Sequence, residues 1–460
     1  MISPYSALRF VIVTLALSIA LGLIYLPSVG HGFVKDDFVW IARSDVTSRK
    51  GLALLLDAPT GFFRPVVSLS FGVNRLLFDL RPLGYGLTNF GLLLACAFAV
   101  GRLGQALSLR PYAALFGAAV WAFNFHGINS ATLWISGRTA LLLTLFGVIG
   151  AISFRKGRYL QSSLFLFLAM LSKEEAVALP LVLVVLWICS RTVDRDLSHR
   201  VSARHLVPLI VPLVGYLLLR ARSGAFTPTT APAYYQLGPA HLVSNLIPYA
   251  DRSATFAVMA LALLWVAGGM KPFRLEPAER SAIGFGALWL AGGFALTAFL
   301  PVRSSLYACF PSVGVAIIAA AFSGAMCRSI PSRREIMAGA LCVVMPFALW
   351  PVYHARNRRS VSEAELSASV LTQLTAFASL MSHDPLRIVV RDDRSARPSL
   401  DDAFGTLIQE AVDLTIDRRV RVWLDPPPTE AALAGISPPA SVDAILALRN
   451  GLLKVEKPGQ

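Results

Sequence analysis

The chain has 460 residues, of which 55% are hydrophobic and 15% charged. A soluble domain is nearer a quarter charged, and here the apolar excess comes in runs of bilayer-crossing length, roughly 17–25 residues, which excludes a wholly soluble protein. The net charge of +15 does not indicate a nucleic-acid partner, because Lys and Arg lie in short turns between apolar runs rather than in a basic polar domain.

In chain order the apolar runs fall near 8–26, 84–107, 111–125, 131–154, 159–171, 175–190, 205–221, 254–269, 281–300, 306–326 and 336–353. The expected fold class is a polytopic α-helical membrane protein with about 11 transmembrane helices. The first run follows Arg9 and has no small-residue cleavage site after it, so it reads as an uncleaved first span. The segment 63–80 is apolar but cut by Arg64 and Arg75, and reads as a helix lying at the interface. The turns RKGR (155–158), RTVDRDLSHRVSAR (191–204), MKPFRLEPAER (270–280) and CRSIPSRR (327–334) carry the positive charge. Placing them inside puts the N-terminus in the cytoplasm and the C-terminal tail outside. Cys96, Cys189, Cys309, Cys327 and Cys342 lie in or beside apolar runs without CxxC spacing and read as small buried hydrophobes.

The tail is polar. It has an amphipathic stretch near 362–382, a strand-like LRIVVRD (386–392), a helix-like stretch (401–415) and a strand-like RVRVWL (419–424), with PPP (426–428) ending its regular part. The expected organisation is a membrane domain over 1–354, with an outer loop at 28–63, and a small extramembrane α/β domain over 355–460. No internal repeat occurs at a period of 20–50 residues.

On this topology several ionisable residues share the outer rim. Asp36 and Asp37 lie in the first loop, between Phe33, Phe38 and Trp40. His126 stands in FNFHGIN, Arg138 in WISGR, Lys173 and Glu174 in LSKEE, and Arg303 in PVRSSLY. Charges at a membrane cost several kcal/mol unless paired or solvated, so their convergence points to a polar cavity opening outward. Lys173 and Glu174 can also be read as a snorkelling ion pair. A carboxylate within hydrogen-bond reach can deprotonate an acceptor hydroxyl, and cations beside it can hold a phosphate leaving group. In a membrane, that phosphate would carry a lipid.

The motifs VKDD (34–37), FFRPVVSLSF (62–71), LGYGLTN (83–89), WISGRTALL (134–142), LAMLSKEEAVALPLVL (168–183) and RSSLYACFPSVG (303–314) occur in this order. Together they resemble the GT-C superfamily of integral-membrane glycosyltransferases, among them the TPR-carrying transmembrane O-mannosyltransferases, their bacterial relatives and the aminoarabinose transferases. The resemblance covers about the first 325 residues. It implies a GT-C-like fold and inverting sugar transfer from a polyprenyl-phosphate donor to a glycan, lipid or protein acceptor. It also implies that one of Asp36 and Asp37 is the catalytic base; Asp36 is the first choice and Asp37 the second. Arg138, Lys173 and Arg303 would help bind the lipid-linked phosphate, and Arg64, His126, Glu174 and Tyr307 would line the donor or substrate site. Members of this family often carry His at the place of Gly86, and Glu where this chain has Asn129, Ser130 and Ala131. No cofactor is called for; a divalent metal is compatible, but no motif indicates one. The expected location is a bacterial inner membrane, with the C-terminal domain periplasmic and the membrane lipids as partners. Two other readings are a lipid or polysaccharide transporter or flippase, and a non-catalytic envelope assembly protein.

Overall fold

A computed structural model describes residues 4–56, 58, 61–193, 206–225, 235–328, 334–392, 397–428, 438–439 and 441–458. The chain is mostly helical, and each of the eleven apolar stretches contains helix. Proline opens many of these helices, at Pro65, Pro82, Pro111, Pro239 and Pro277, where its missing N–H costs no hydrogen bond. Among the described residues, four helices are long and apolar enough to cross a membrane: Val11–Ser28, Pro82–Ala106, Ile135–Arg155 and Pro239–Ala267. Met337–Ala348 and Trp350–Leu380, bent by 51°, make a fifth if taken as one span. Pro65–Phe78, Pro111–Ala122, Tyr159–Met170 and Ser312–Arg328 are apolar but shorter. This is a multi-pass integral membrane protein.

Small residues let the helices approach closely. One close crossing joins Pro277–Phe294 to Ser312–Arg328, where a Cβ on Gly286 would lie 2.5 Å from the Gly314 carbonyl and one on Gly314 2.2 Å from the Gly286 carbonyl. Trp121 and Trp289 fill the core beside it, and their indole N–H groups donate to the carbonyls of Cys309 (3.1 Å) and Phe310 (3.0 Å), so neither buries an unpaired donor. Cys96, Cys309, Cys327 and Cys342 are buried. The Cys189 side chain lies outside the described residues.

The composition change at residue 355 does not coincide with a break in the chain. Trp350–Leu380 is one continuous helix of 31 residues, so the stretch near 362–382 continues a helix that begins in the membrane body. Its lower part is tied there: Asn357 donates to the Ile24 carbonyl (2.6 Å) and accepts from Asn129 (2.8 Å), and the Tyr353 hydroxyl donates to the Phe123 carbonyl.

Beyond it, among the described residues, stand four strands, β1 (Leu386–Arg391), β2 (Val420–Asp425), β3 (Ala444–Arg449) and β4 (Leu452–Pro458), in the order β2-β1-β3-β4. β1 runs parallel to β2 and β3, and β4 antiparallel to β3. The helix-like stretch 401–415 is two helices, Leu400–Phe404 and Ile408–Thr415, separated at Gly405, whose φ is +53°. Regular structure therefore does not end at PPP. The β3–β4 hairpin lies past it, closed by Asn450 and Gly451 at φ 52° and 77°, the Asn-Gly pairing that a tight hairpin favours.

Candidate active site at one rim

Asp36 and Asp37 occupy the first turn of the short helix Asp36–Ala42, where negative charge is favoured by the exposed backbone N–H groups. They face different surroundings. Asp37 is fully buried; one oxygen accepts from the Val34 N–H (2.9 Å) and the other from the Ser136 N–H (2.7 Å) and hydroxyl. Burial pushes its carboxyl pKa up to about 7; the Ser136 and Val34 bonds oppose this and the neighbouring Asp36 charge adds to it. Asp36 is solvent-accessible. The enclosing protein still pushes its pKa up, against the pull of the Arg64 guanidinium and the Lys35 ammonium. Asp37 pins the loop to the WISGR turn, whereas Asp36 faces solvent.

Arg64 acts on Asp36 electrostatically from the start of Pro65–Phe78. Its guanidinium grips Glu174 with two bonds (3.0 and 2.6 Å) and lies 4.5 Å from the centre of the Phe62 ring. Lys173 pairs with Glu175 at 2.6 Å, not with Glu174 as the snorkelling-pair reading had it, and stands 4.8 Å over the Tyr307 ring. The extended backbone at Lys173 and the 3-10 turn that follows it turn Glu174 and Glu175 toward different partners. Glu175 is buried, and one of its oxygens has no hydrogen-bond partner among the described residues. Arg220 joins the cluster electrostatically through Glu174 and donates to the Tyr216 hydroxyl at 2.7 Å.

Arg138 differs from the expectation of a phosphate grip. It is fully buried, and its donors are spent on Asn89 Oδ1 (3.0 Å), Asn74 Oδ1 (2.5 Å) and the carbonyls of Ser70 (3.3 Å) and Tyr85 (3.1 Å). It also lies 4.3 Å from the centre of the Phe71 ring. Arg138 is a clamp between three helices rather than a group open to a ligand. Asn89 completes it by donating to the carbonyls of Trp134 and Ile135, both at 3.1 Å. Clamp and Asp37 thus hold the same turn.

His126 is placed in a separate group. Its Nδ1 accepts from Arg356 (2.9 Å), and its Nε2 lies 3.7 Å from Asp251. Burial and the Arg356 charge lower its pKa to about 4, so it is neutral near pH 7. Arg303 is exposed and donates to Asn245 Oδ1 at 2.7 Å. Gly86 has no room for the His that the family often carries there, since a Cβ would lie 1.9 Å from the Val29 carbonyl. Among the described residues, no three His, Cys, Asp or Glu side chains gather into a metal-holding group.

Sequence reasoning missed Ser136, Glu175, Arg220 and the Asn74–Asn89 pair. Ser136, Glu175 and Asn89 lie inside the quoted motifs, and Arg220 ends an apolar run, so each was within reach of a reading that weighed every polar residue at the rim.

No family model matches the chain. A Caenorhabditis elegans protein O-mannosyl-transferase is 26% identical over 236 residues, 48% of this chain and 32% of that protein. The Drosophila melanogaster protein O-mannosyl-transferase Tmtc1 is 27% identical over 174 residues, 34% of this chain and 20% of that protein. The matches thus span a third or less of these curated relatives. Among solved structures, ArnT from Cupriavidus metallidurans bound to undecaprenyl phosphate superposes with a TM-score of 0.54 at 16% identity, over 89% of this chain and 85% of that one. The apo state of ArnT gives 0.53 at 15% identity, over 91% and 86%. The chain has the GT-C fold of integral-membrane glycosyltransferases, and in sequence it is similar to the protein O-mannosyl-transferases.

Proposed function

We propose that this chain is an inverting glycosyltransferase of a bacterial inner membrane. It moves a sugar from a polyprenyl-phosphate-linked donor to an acceptor hydroxyl on the outer face. The observation that carries the reading is Asp36, a solvent-open carboxylate with a raised pKa beside the Arg64 guanidinium. A raised pKa makes a carboxylate a stronger base. Asp36 takes the proton of the acceptor hydroxyl as its oxygen bonds to the anomeric carbon. The bond from that carbon to the phosphate oxygen breaks, and its electron pair leaves with the lipid phosphate. A single displacement inverts the anomeric centre. Arg64, Lys173 and Arg303 receive the developing phosphate charge; Glu174 and Tyr307 shape the site around them. Asp37 and Arg138 position the loop and the turn. The likeness to ArnT, which was solved with undecaprenyl phosphate bound, supports a polyprenyl-phosphate carrier. Eleven spans, a cytoplasmic N-terminus and a periplasmic α/β domain over 355–460 complete the proposal.

A transporter or flippase would place its polar residues near the membrane midplane on broken helices. The Asp36, Arg64 and Lys173 groups instead occupy loops and helix ends, which favours the enzyme over that reading and over an assembly protein. The test is transfer from a panel of polyprenyl-phosphate sugars by purified protein in lipid. Asp36→Asn keeps size and polarity but removes the base, so transfer falls roughly 10²–10⁴-fold while affinity for undecaprenyl phosphate changes little. Full transfer by the double variant Asp36→Asn, Asp37→Asn overturns the catalytic reading.

A further inference from the structure

The loop that carries Asp36 is gripped from two sides, and one of them belongs to the C-terminal sheet. Lys35 sits at φ 48°, ψ −125°, a conformation that costs a non-glycine residue stability unless its surroundings over-determine it. Its N–H donates to the carbonyl of Ala403 at 3.0 Å. Ala403 lies in the helix Leu400–Phe404, 368 residues further along the chain. Phe38 is 1% exposed and packs into the same hydrophobic cluster as Val370, Leu374, Leu400 and Phe404. The rings of Phe38 and Phe404 stack with centroids 6.1 Å apart and planes 23° from parallel. Upstream, Gly32 at φ +131° runs so close to the long helix that a Cβ there would lie 3.3 Å from Ala364. On the opposite side Asp37 holds Ser136, and Ile41 packs with Val67, Phe71 and Tyr85 of the membrane body. Asp36 stands between the two grips.

We propose that the C-terminal sheet is a working part of the active site. Its helix Leu400–Phe404 fixes the Lys35 backbone and the Phe38 ring, and Phe404 is thereby a positioning residue that sets where the Asp36 carboxylate points. The inference rests on Asp36 being the base. Without the stack, Lys35 is free to relax toward an ordinary conformation and the carboxylate turns with it. An error of about 1 Å in placing a reacting group can cost on the order of 10²-fold in rate. The donor phosphate contacts Arg64, Lys173 and Arg303 on other elements, so its binding is left alone.

The test compares Phe404→Ala, Phe404→Tyr and wild type as full-length protein in lipid, with Phe38→Leu as a second perturbation made from the loop side. Three quantities are read: kcat for transfer, affinity for undecaprenyl phosphate, and amide exchange at residues 33–40 and 386–391. The expected result for Phe404→Ala is a kcat lower by roughly tenfold or more, undecaprenyl phosphate affinity within twofold of wild type, faster exchange at 33–40 and unchanged exchange at 386–391. Phe404→Tyr recovers most of the rate, and Phe38→Leu lowers kcat in the same way if milder. If Phe404→Ala also loosens 386–391, Phe38→Leu decides alone. Unchanged kcat with loosened 33–40 overturns the proposal, as does unchanged exchange at 33–40 in both Phe404→Ala and Phe38→Leu. If wild type transfers no sugar, the reading of Asp36 fails, and the exchange data still judge the coupling of loop to sheet.

Discussion

Arg138 and Arg64 look alike in the sequence: each is a lone cation at the rim end of an apolar stretch. Their settings are opposite. Arg138 is sealed, with four neutral oxygen acceptors and no exposed surface. Arg64 keeps 12% of its side chain exposed and holds a carboxylate, Glu174, that is itself 23% exposed. A guanidinium on amide and carbonyl oxygens is a structural joint, whereas one that grips a carboxylate bidentately has the geometry that also suits a phosphate. Cost at the membrane identifies a cation worth explaining; the type and exposure of its partners separate a joint from a binding group.

The largest expected effect is on the sealed side. Arg138→Ala leaves Asn74, Asn89 and two carbonyls buried without their donor, at a cost of about 1–3 kcal/mol for each acceptor left unpaired, read as a loss of thermal stability in detergent. Arg138→Lys should recover little of it, because one ammonium lacks the planar fork that reaches all four acceptors. Equal stability of Arg138→Ala and wild type would dissolve the contrast with Arg64.

The next effect belongs to Asp37 on the same turn. With its folded pKa raised to about 7, the folded protein binds more protons than the unfolded chain between the ordinary carboxylate range and pH 7. The contribution of this site to stability therefore falls as pH rises through that window, by at most about 4 kcal/mol, and levels off above it. Asp37→Asn should flatten that part of the profile; an unchanged slope of melting temperature between pH 5 and 7 would mean that Asp37 is not its source.

The smallest effect lies on the open side. In a cycle of Arg64→Ala, Glu174→Ala and the double variant, each single change strands a partner, so the double variant should be more stable than the sum predicts by about 0.5–3 kcal/mol. Additive losses would mean that the pair is solvated and uncoupled. Affinity for undecaprenyl phosphate, measured on the same variants, should fall with Arg64→Ala and hold or rise with Glu174→Ala, which frees the guanidinium.

Much of this was legible in the chain. Apolar runs and prolines place the helices, and the motifs gather Asp36, Arg64, Lys173, Glu174 and Tyr307 near one rim. Partner identity was not legible. Lys173 precedes Glu174 directly, yet an extended Lys173 followed by a 3-10 turn sends it to Glu175. Burial of Arg138 depends on Asn74 and Asn89, which lie 64 and 49 residues away. The support that Ala403 and Phe404 give to VKDD depends on a fold-back of the tail, and no local pattern encodes it. The β3–β4 hairpin was a different case: its Asn-Gly turn stood in the sequence, hidden behind the proline-rich stretch that seemed to close the domain.

The contact between Gly286 and Gly314 has a consequence for how this protein can vary. A Cβ at either position would meet the other's backbone carbonyl, so no change of side chain at one can make room for a side chain at the other. Both positions are held to glycine for as long as this crossing is kept. RSSLYACFPSVG thus ends on glycine for a reason of assembly rather than chemistry. In distant descendants that have lost every charge at the rim, these two glycines should still mark where the helices cross.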